Sequence, residues 1–303
     1  MTRWTAFAGL TGVVLFLLLG LARLSAAQFA PTSRPDRRER GGSDDDSRWA
    51  PEDTAPVAQS PSHPAHDAAP TLSTPERSPV AAGRAEASMS PGALLANVAL
   101  SQGLFGAMLV AAAVWAGVPA AALGLVPPAT ATDVALGVGL GTGLWLASET
   151  AGRFAERVGV EVNESLRGAL APDTVVGWAV LLLAVLPTVA LFEEFLFRAA
   201  LVGALSAGFD APAWLPPAVA GTDPWPWLLA GGSSVAFALG HGAQGRAGIV
   251  ATGVLGFVLA GAFVLTGSFA LVAVAHYVVN ALTLVVHEFD PGTLGARPAR
   301  GRR

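Results

Sequence analysis

Long apolar runs separated by short polar or proline-rich breaks dominate the chain from residue 92 to residue 286, and one more run stands alone near the N-terminus. These runs approach or exceed the roughly 20 residues that a helix needs to cross a bilayer. Gly92 to Val118 predicts one span, closed by Pro119 and the loop through Pro127-Pro128; Val134 to Gly152 predicts a second, with Glu149 near its end. Thr174 to Ala207 predicts a third helical region. At about 1.5 Å per residue it is too long for one straight span, and Pro187 marks a kink. Trp225 to Gly240 predicts a fourth span, and Ala247 to Val286 must hold two more helices, with Thr266-Gly267-Ser268 as the turn between them. Together with Trp4 to Ala22 the pattern predicts an all-α, polytopic transmembrane helix bundle of about seven spans.

The chain divides into four parts. Residues 1–28 read as an N-terminal transmembrane anchor. A signal peptide ending in Leu24-Ser25-Ala26-Ala27 is the alternative, but the run is long for a signal core and its basic flank, Arg23, follows it. Residues 29–90 are rich in Pro, Ser, Ala, Asp and Arg without apolar periodicity, and predict a disordered linker that cannot bury enough surface to offset ordering entropy. His63 and His66 fall in this linker and receive no role. A chain starting near Ser88 is therefore expected still to insert and to keep whatever proteolysis the full chain shows; the bundle occupies residues 91–288, and residues 289–303 form a basic tail.

Composition narrows the chemistry. Hydrophobic residues make up 52% of the 303 and charged residues only 13%, which fits a multi-pass protein of the cell membrane with the lipid bilayer as its main partner. There is no cysteine, so catalysis, if any, must use carboxylates, imidazoles or hydroxyls. No nucleic-acid partner is expected. Arginines gather after the first span, in the loop at Arg153, Arg157 and Arg167, at Arg246 and in the tail, while loops 119–132 and 208–224 have none. The positive-inside rule then puts the linker and C-terminus in the cytoplasm.

Three polar constellations interrupt the apolar runs. Glu193-Glu194 with Arg198 is the first; Glu194 and Arg198, four apart, share a helix face, while Glu193 points about 100° away. A structural ion pair would account for Glu194 and Arg198 but would leave Glu193 unpaired at membrane depth, where ionisable groups are costly. The second is Phe237-Ala-Leu-Gly-His241, with small neighbours that let another backbone approach the ring. The third is His276-Tyr-Val-Val-Asn280, whose imidazole and amide lie on one face of the last span; interhelical hydrogen bonding is its plainer reading. His287, beside Glu288, reads as interfacial.

The order Glu-Glu-x-x-x-Arg, Phe-x-x-x-His, His-x-x-x-Asn, each on its own helix, resembles the CPBP family of intramembrane proteases, which includes the CAAX prenyl endopeptidases and the Abi group. The similarity covers about residues 174–286, with Gly253, Gly256 and Thr266-Gly267-Ser268 also at the family's spacing. The resemblance implies an intramembrane endopeptidase acting on a membrane-embedded, prenylated or peptide substrate. Glu193 and His241 would hold and activate the attacking water, His276 and Asn280 would stabilise the oxyanion, and Glu194 with Arg198 would hold the helix. The family is often labelled a metalloprotease, and a zinc site would use Glu193, His241 and His276. The favoured mechanism has no cofactor, because no His-Glu-x-x-His helix gathers two ligands and a base. The competing function is a non-catalytic immunity or partner-binding module of the same family.

One mismatch accompanies this reading. Counted from Thr174, Glu193 lies roughly 28 Å along its helix, whereas His241 ends a helix at the same cytoplasmic side. The two meet if Thr174 to Leu186 is interfacial or tilted and the spanning part begins near Pro187.

Overall fold

The computed structural model describes residues 1–28, 91–157, 168, 170–218 and 221–290. The expected linker at 29–90, the loop residues 158–167 and the tail from 291 lie outside them. Seven helical regions are present among the described residues, numbered here in chain order: α1 (Trp4–Gln28), α2 (Pro91–Ala116), α3 (Ala131–Arg157), α4 (Val175–Gly208), α5 (Pro224–Gly240), α6 (Gly245–Thr266) and α7 (Phe269–Glu288). Five of them, α1, α2, α4, α6 and α7, are long and apolar enough to cross a membrane. Helix α5 has 17 residues, and α3 carries Asp133, Glu149, Arg153, Glu156 and Arg157.

Local chemistry fixes the helix ends. Thr174 caps α4 by accepting from the Gly177 N–H at 3.0 Å, Asp223 caps α5 by accepting from the Trp225 N–H at 3.0 Å, and Ser268 caps α7 by accepting from the Leu271 N–H at 3.2 Å. Between α6 and α7, Gly267 takes the left-handed conformation (φ 63°) that glycine adopts without steric cost, so the expected turn is observed. Asp223 is followed by Pro224 and Pro226, which are tolerated in the first turn because those N–H groups have no helical partner.

Helix α4 is the centre of the bundle. It runs on past Pro187 and contains two π-helical stretches, Leu181–Val185 and Phe195–Ala204. The first directly precedes the proline, whose missing N–H and bulky ring spoil the regular i to i−4 ladder. Helix α2 runs parallel to α4, with Leu95 in the cluster of Trp178 and Leu181, and Gly106 against Phe192. Helix α5 runs antiparallel: the Ser233 hydroxyl donates to the Phe197 carbonyl, and Ala230 packs in the cluster of Val202.

This pairing sets the α5–α6 hairpin beside the second half of α4. The α5–α6 hairpin ends at the level of Glu193, and α4 runs on beyond it through its first 18 or so residues, about 27 Å of helix. Val175, Val176, Val180 and Leu183 are exposed and apolar, as side chains facing lipid are.

Helices α3 and α7 run parallel and approach closely. A Cβ added at Gly137 would lie 2.7 Å from the Leu271 carbonyl oxygen, and one at Gly141 2.5 Å from that of Ala275. The small-xxx-small pair therefore lets the backbones touch, and α7 carries His276 and Asn280 on the length that α3 braces. Where the two helices end, Glu149 Oε1 meets His287 Nε2 at 2.6 Å, so His287 is an interhelical partner as well as a helix-end residue.

Helix α1 is part of the bundle. Phe7 and Val14 are buried in one cluster with Leu109, Phe197, Ala200 and Phe237, and the Arg3 N–H donates to the Ala116 carbonyl at 2.8 Å. Arg3 also stacks over Trp115, and the Trp4 ring lies against Gly208. Helix α1 thus covers that cluster, and a chain starting near Ser88 would lack this cover.

Candidate active site

The polar groups meet where α4 faces α2, α5 and α7. Glu194 is fully buried at the end of the regular helical stretch Leu186–Glu194, and its Oε1 receives Arg198 Nη1 at 2.7 Å and His276 Nδ1 at 2.6 Å. The four-residue spacing therefore does form the pair read from the sequence. Arg198 reaches further: Nη2 donates to the Gly256 carbonyl on α6 at 2.9 Å, and the guanidinium lies 4.8 Å from the centre of the Phe237 ring. A charged group stripped of water is tolerated only with such a set of partners.

Gly256 makes that approach possible. A Cβ there would stand 3.0 Å from Phe237 and 3.5 Å from Arg198, which explains in steric terms why glycine sits at this point of α6.

Glu193 is buried beside this group but keeps apart from Arg198. Its Oε1 accepts from Gln102 Nε2 of α2 at 3.4 Å, and its Oε2 has no hydrogen-bond partner, facing His276 Nε2 at 3.6 Å. His276 thus lies between the two carboxylates, one nitrogen toward each. Ionised carboxylates only accept, so Nδ1 carries a proton toward Glu194, and this contact fixes the ring's orientation.

His241, at the C-terminal end of α5, follows a different logic. Its Nδ1 lies 2.8 Å from the Phe237 carbonyl, which can only accept, so Nδ1 is the protonated nitrogen and Nε2 of the neutral ring is a free acceptor. The ring packs on Phe237 at 4.4 Å between centroids, and His276 meets the edge of the same ring system at 5.9 Å. Phe237 is therefore the common wall of both imidazoles. Among the described residues, the imidazole within 4.0 Å of a Glu193 oxygen is that of His276. Asn280 lies one turn beyond His276 on α7, half-buried.

All six residues singled out in the sequence fall on the helices that converge here. Gln102 was missed. It lacks a motif, but it is an amide on the inward stripe of α2 that also carries Leu95, Gly106 and Leu109, and a polar residue in such a stripe is the signal that could have found it. Among the described residues no group of three or more His, Asp or Glu side chains is arranged to hold a metal ion. Gln102 and Glu194 engage Glu193 Oε1 and His276 Nδ1, which leaves Glu193 Oε2 and His276 Nε2 as the atoms that a zinc set of Glu193, His241 and His276 would use.

Apolar outer faces, five membrane-length helices and a buried acid–imidazole–guanidinium cluster define a multi-pass membrane protein with a built polar site. Residues 175–282 match the family model Rce1-like, described as type II CAAX prenyl endopeptidase Rce1-like, a domain of the CPBP family. The match spans α4 to α7 and includes Glu193, Glu194, Arg198, His241, His276 and Asn280. No curated protein and no solved structure matches the chain.

Proposed function

We propose that the protein is a CAAX-type intramembrane endopeptidase of the cell membrane that hydrolyses a peptide bond in a membrane-associated substrate with Glu193 as general base. The observation that carries this reading is the division of Glu193: one oxygen is hydrogen-bonded and the other, buried, is unpartnered and turned toward an imidazole. A carboxylate held in that way is ready to take a proton.

In the proposed reaction, Glu193 Oε2 removes a proton from water while His241 Nε2 accepts the hydrogen bond of the other. The hydroxide oxygen bonds to the carbonyl carbon and the carbonyl electrons move onto oxygen. His276, protonated on both ring nitrogens between the two carboxylates, donates through Nε2–H and together with the Asn280 amide stabilises that oxyanion, an effect of about 3 kcal/mol for one donor. The tetrahedral intermediate then collapses, the C–N bond breaks, and the proton held by Glu193 goes to the leaving amine. Glu194, through Nδ1, keeps His276 turned correctly, and Arg198 neutralises Glu194.

No step here requires a metal. The test combines two readouts on purified protein in liposomes with an S-farnesyl-cysteine peptide reporter. Asn280→Ala is expected to lower kcat by about 10²-fold with KM nearly unchanged, because the amide acts in the transition state. Chelation should leave activity intact. One zinc per chain by elemental analysis, lost together with activity in His241→Ala and His276→Ala, would overturn the metal-free mechanism.

A further inference from the structure

Helix α2 lies outside the matched segment, yet it supplies a side chain to the site. We propose that Gln102 is a positioning residue for the reaction, fixing which oxygen of Glu193 is free to act; this rests on the reading of Glu193 as base.

The geometry of α2 makes the contact possible. Helix α2 packs directly on α4 here, and a Cβ at Gly103 or Gly106 would make ordinary contact with Thr188 or Phe192 at 3.6 Å. The amide of Gln102 then reaches Glu193 Oε1 at 3.4 Å. Only one orientation of the amide is favourable: an ionised carboxylate accepts, so Nε2 must face it, and Oε1 on the other side is buried without a partner. Elsewhere on the inward stripe of α2, Leu95, Leu109 and Ala113 are apolar and buried.

A side chain kept only for packing would do better as Leu or Met at this place, since a buried amide with an unsatisfied oxygen destabilises the fold. What Gln102 contributes is direction. With Oε1 held from the α2 side, the carboxylate plane of Glu193 is set, and Oε2 is the oxygen left facing His276. Without that bond the carboxylate is free to rotate, and the fraction of time spent in the reactive orientation falls.

The experiment compares full-length wild type, Gln102→Met and Gln102→Lys in liposomes on the same S-farnesyl-cysteine reporter, with thermal unfolding of each. Met keeps the length of Gln without a donor, and Lys restores an N–H donor with slightly longer reach. Gln102→Met should lower kcat about tenfold to a hundredfold, with KM within about twofold and an unfolding temperature equal to or above wild type. Gln102→Lys should recover kcat to within a few-fold of wild type.

The proposal is overturned if Gln102→Met turns over like wild type, if its loss of activity is matched by a fall in unfolding temperature, or if Lys is as poor as Met. A wild-type protein that fails to cleave the reporter at all removes the hydrolase reading, and this proposal with it. Wild-type turnover with an indifferent Gln102→Met removes this proposal alone.

Discussion

Glu193→Gln is expected to abolish hydrolysis, by at least about 10³-fold in kcat, while the protein stays folded. The reasoning is specific to how Glu193 is held. Gln is isosteric with Glu, and its amide oxygen still accepts from Gln102 Nε2, so the contact between α2 and α4 persists. What disappears is the capacity to take and return a proton at the oxygen facing His276. Thermal unfolding of the variant should therefore match wild type within a few degrees while initial-rate cleavage of the reporter falls to background. Near wild-type turnover in Glu193→Gln would remove the residue from the chemistry and the proposed mechanism with it.

Arg198→Met is expected to have the largest effect on stability. Arg198 and Glu194 have relative side-chain exposures of 1% and 0%, and the arginine also ties α4 to α6 through the Gly256 carbonyl and to α5 through Phe237. Breaking a buried pair by removing one partner typically costs about 3–5 kcal/mol, because the other charge is left without compensation. Domains are commonly stable by about 5–15 kcal/mol, so this is a large share of the margin. Replacing both groups, as in Glu194→Gln with Arg198→Met, should recover much of the loss in unfolding temperature, since no lone charge remains. Activity should stay low in the double variant, because His276 then lacks the carboxylate that orients it. If the double variant is as unstable as Arg198→Met alone, the loss comes from packing around the guanidinium and not from the stranded carboxylate.

Much of the site was legible in the sequence for one physical reason: ionisable and amide groups inside apolar runs are expensive, so each one stands out. Glu193, Glu194, Arg198, His241, His276 and Asn280 were singled out in this way, and helical spacing alone paired Glu194 with Arg198. Helix count followed from the length of the runs. What periodicity could not supply was depth. The short α5–α6 hairpin stops level with Glu193 while α4 continues past it, and nothing in either run marks where one ends against the other. The π-helical stretches of α4 are equally silent, apart from the warning given by Pro187.

Two further misses share a cause. Gln102 and the Gly137/Gly141 pair act through contacts between helices far apart in the chain, and each needs a partner's backbone to show its purpose. The place of α1 was hidden by the composition of residues 29–90, which separates it from the rest of the bundle in sequence but says nothing of where its buried face, Phe7, Thr11 and Val14, would pack. An i, i+4, i+7 stripe was present there to be read.

The central claim is that water activated by Glu193 cleaves a peptide bond within this bundle, and isotope labelling tests it most directly. The reporter peptide would be incubated with wild-type protein in liposomes in H₂¹⁸O, and both products and protein analysed by mass spectrometry after a single turnover. The account predicts one ¹⁸O atom in the new C-terminal carboxylate and none in Glu193. Intact reporter, or label first appearing in the Glu193 carboxylate as expected for a covalent acyl-enzyme, would contradict it.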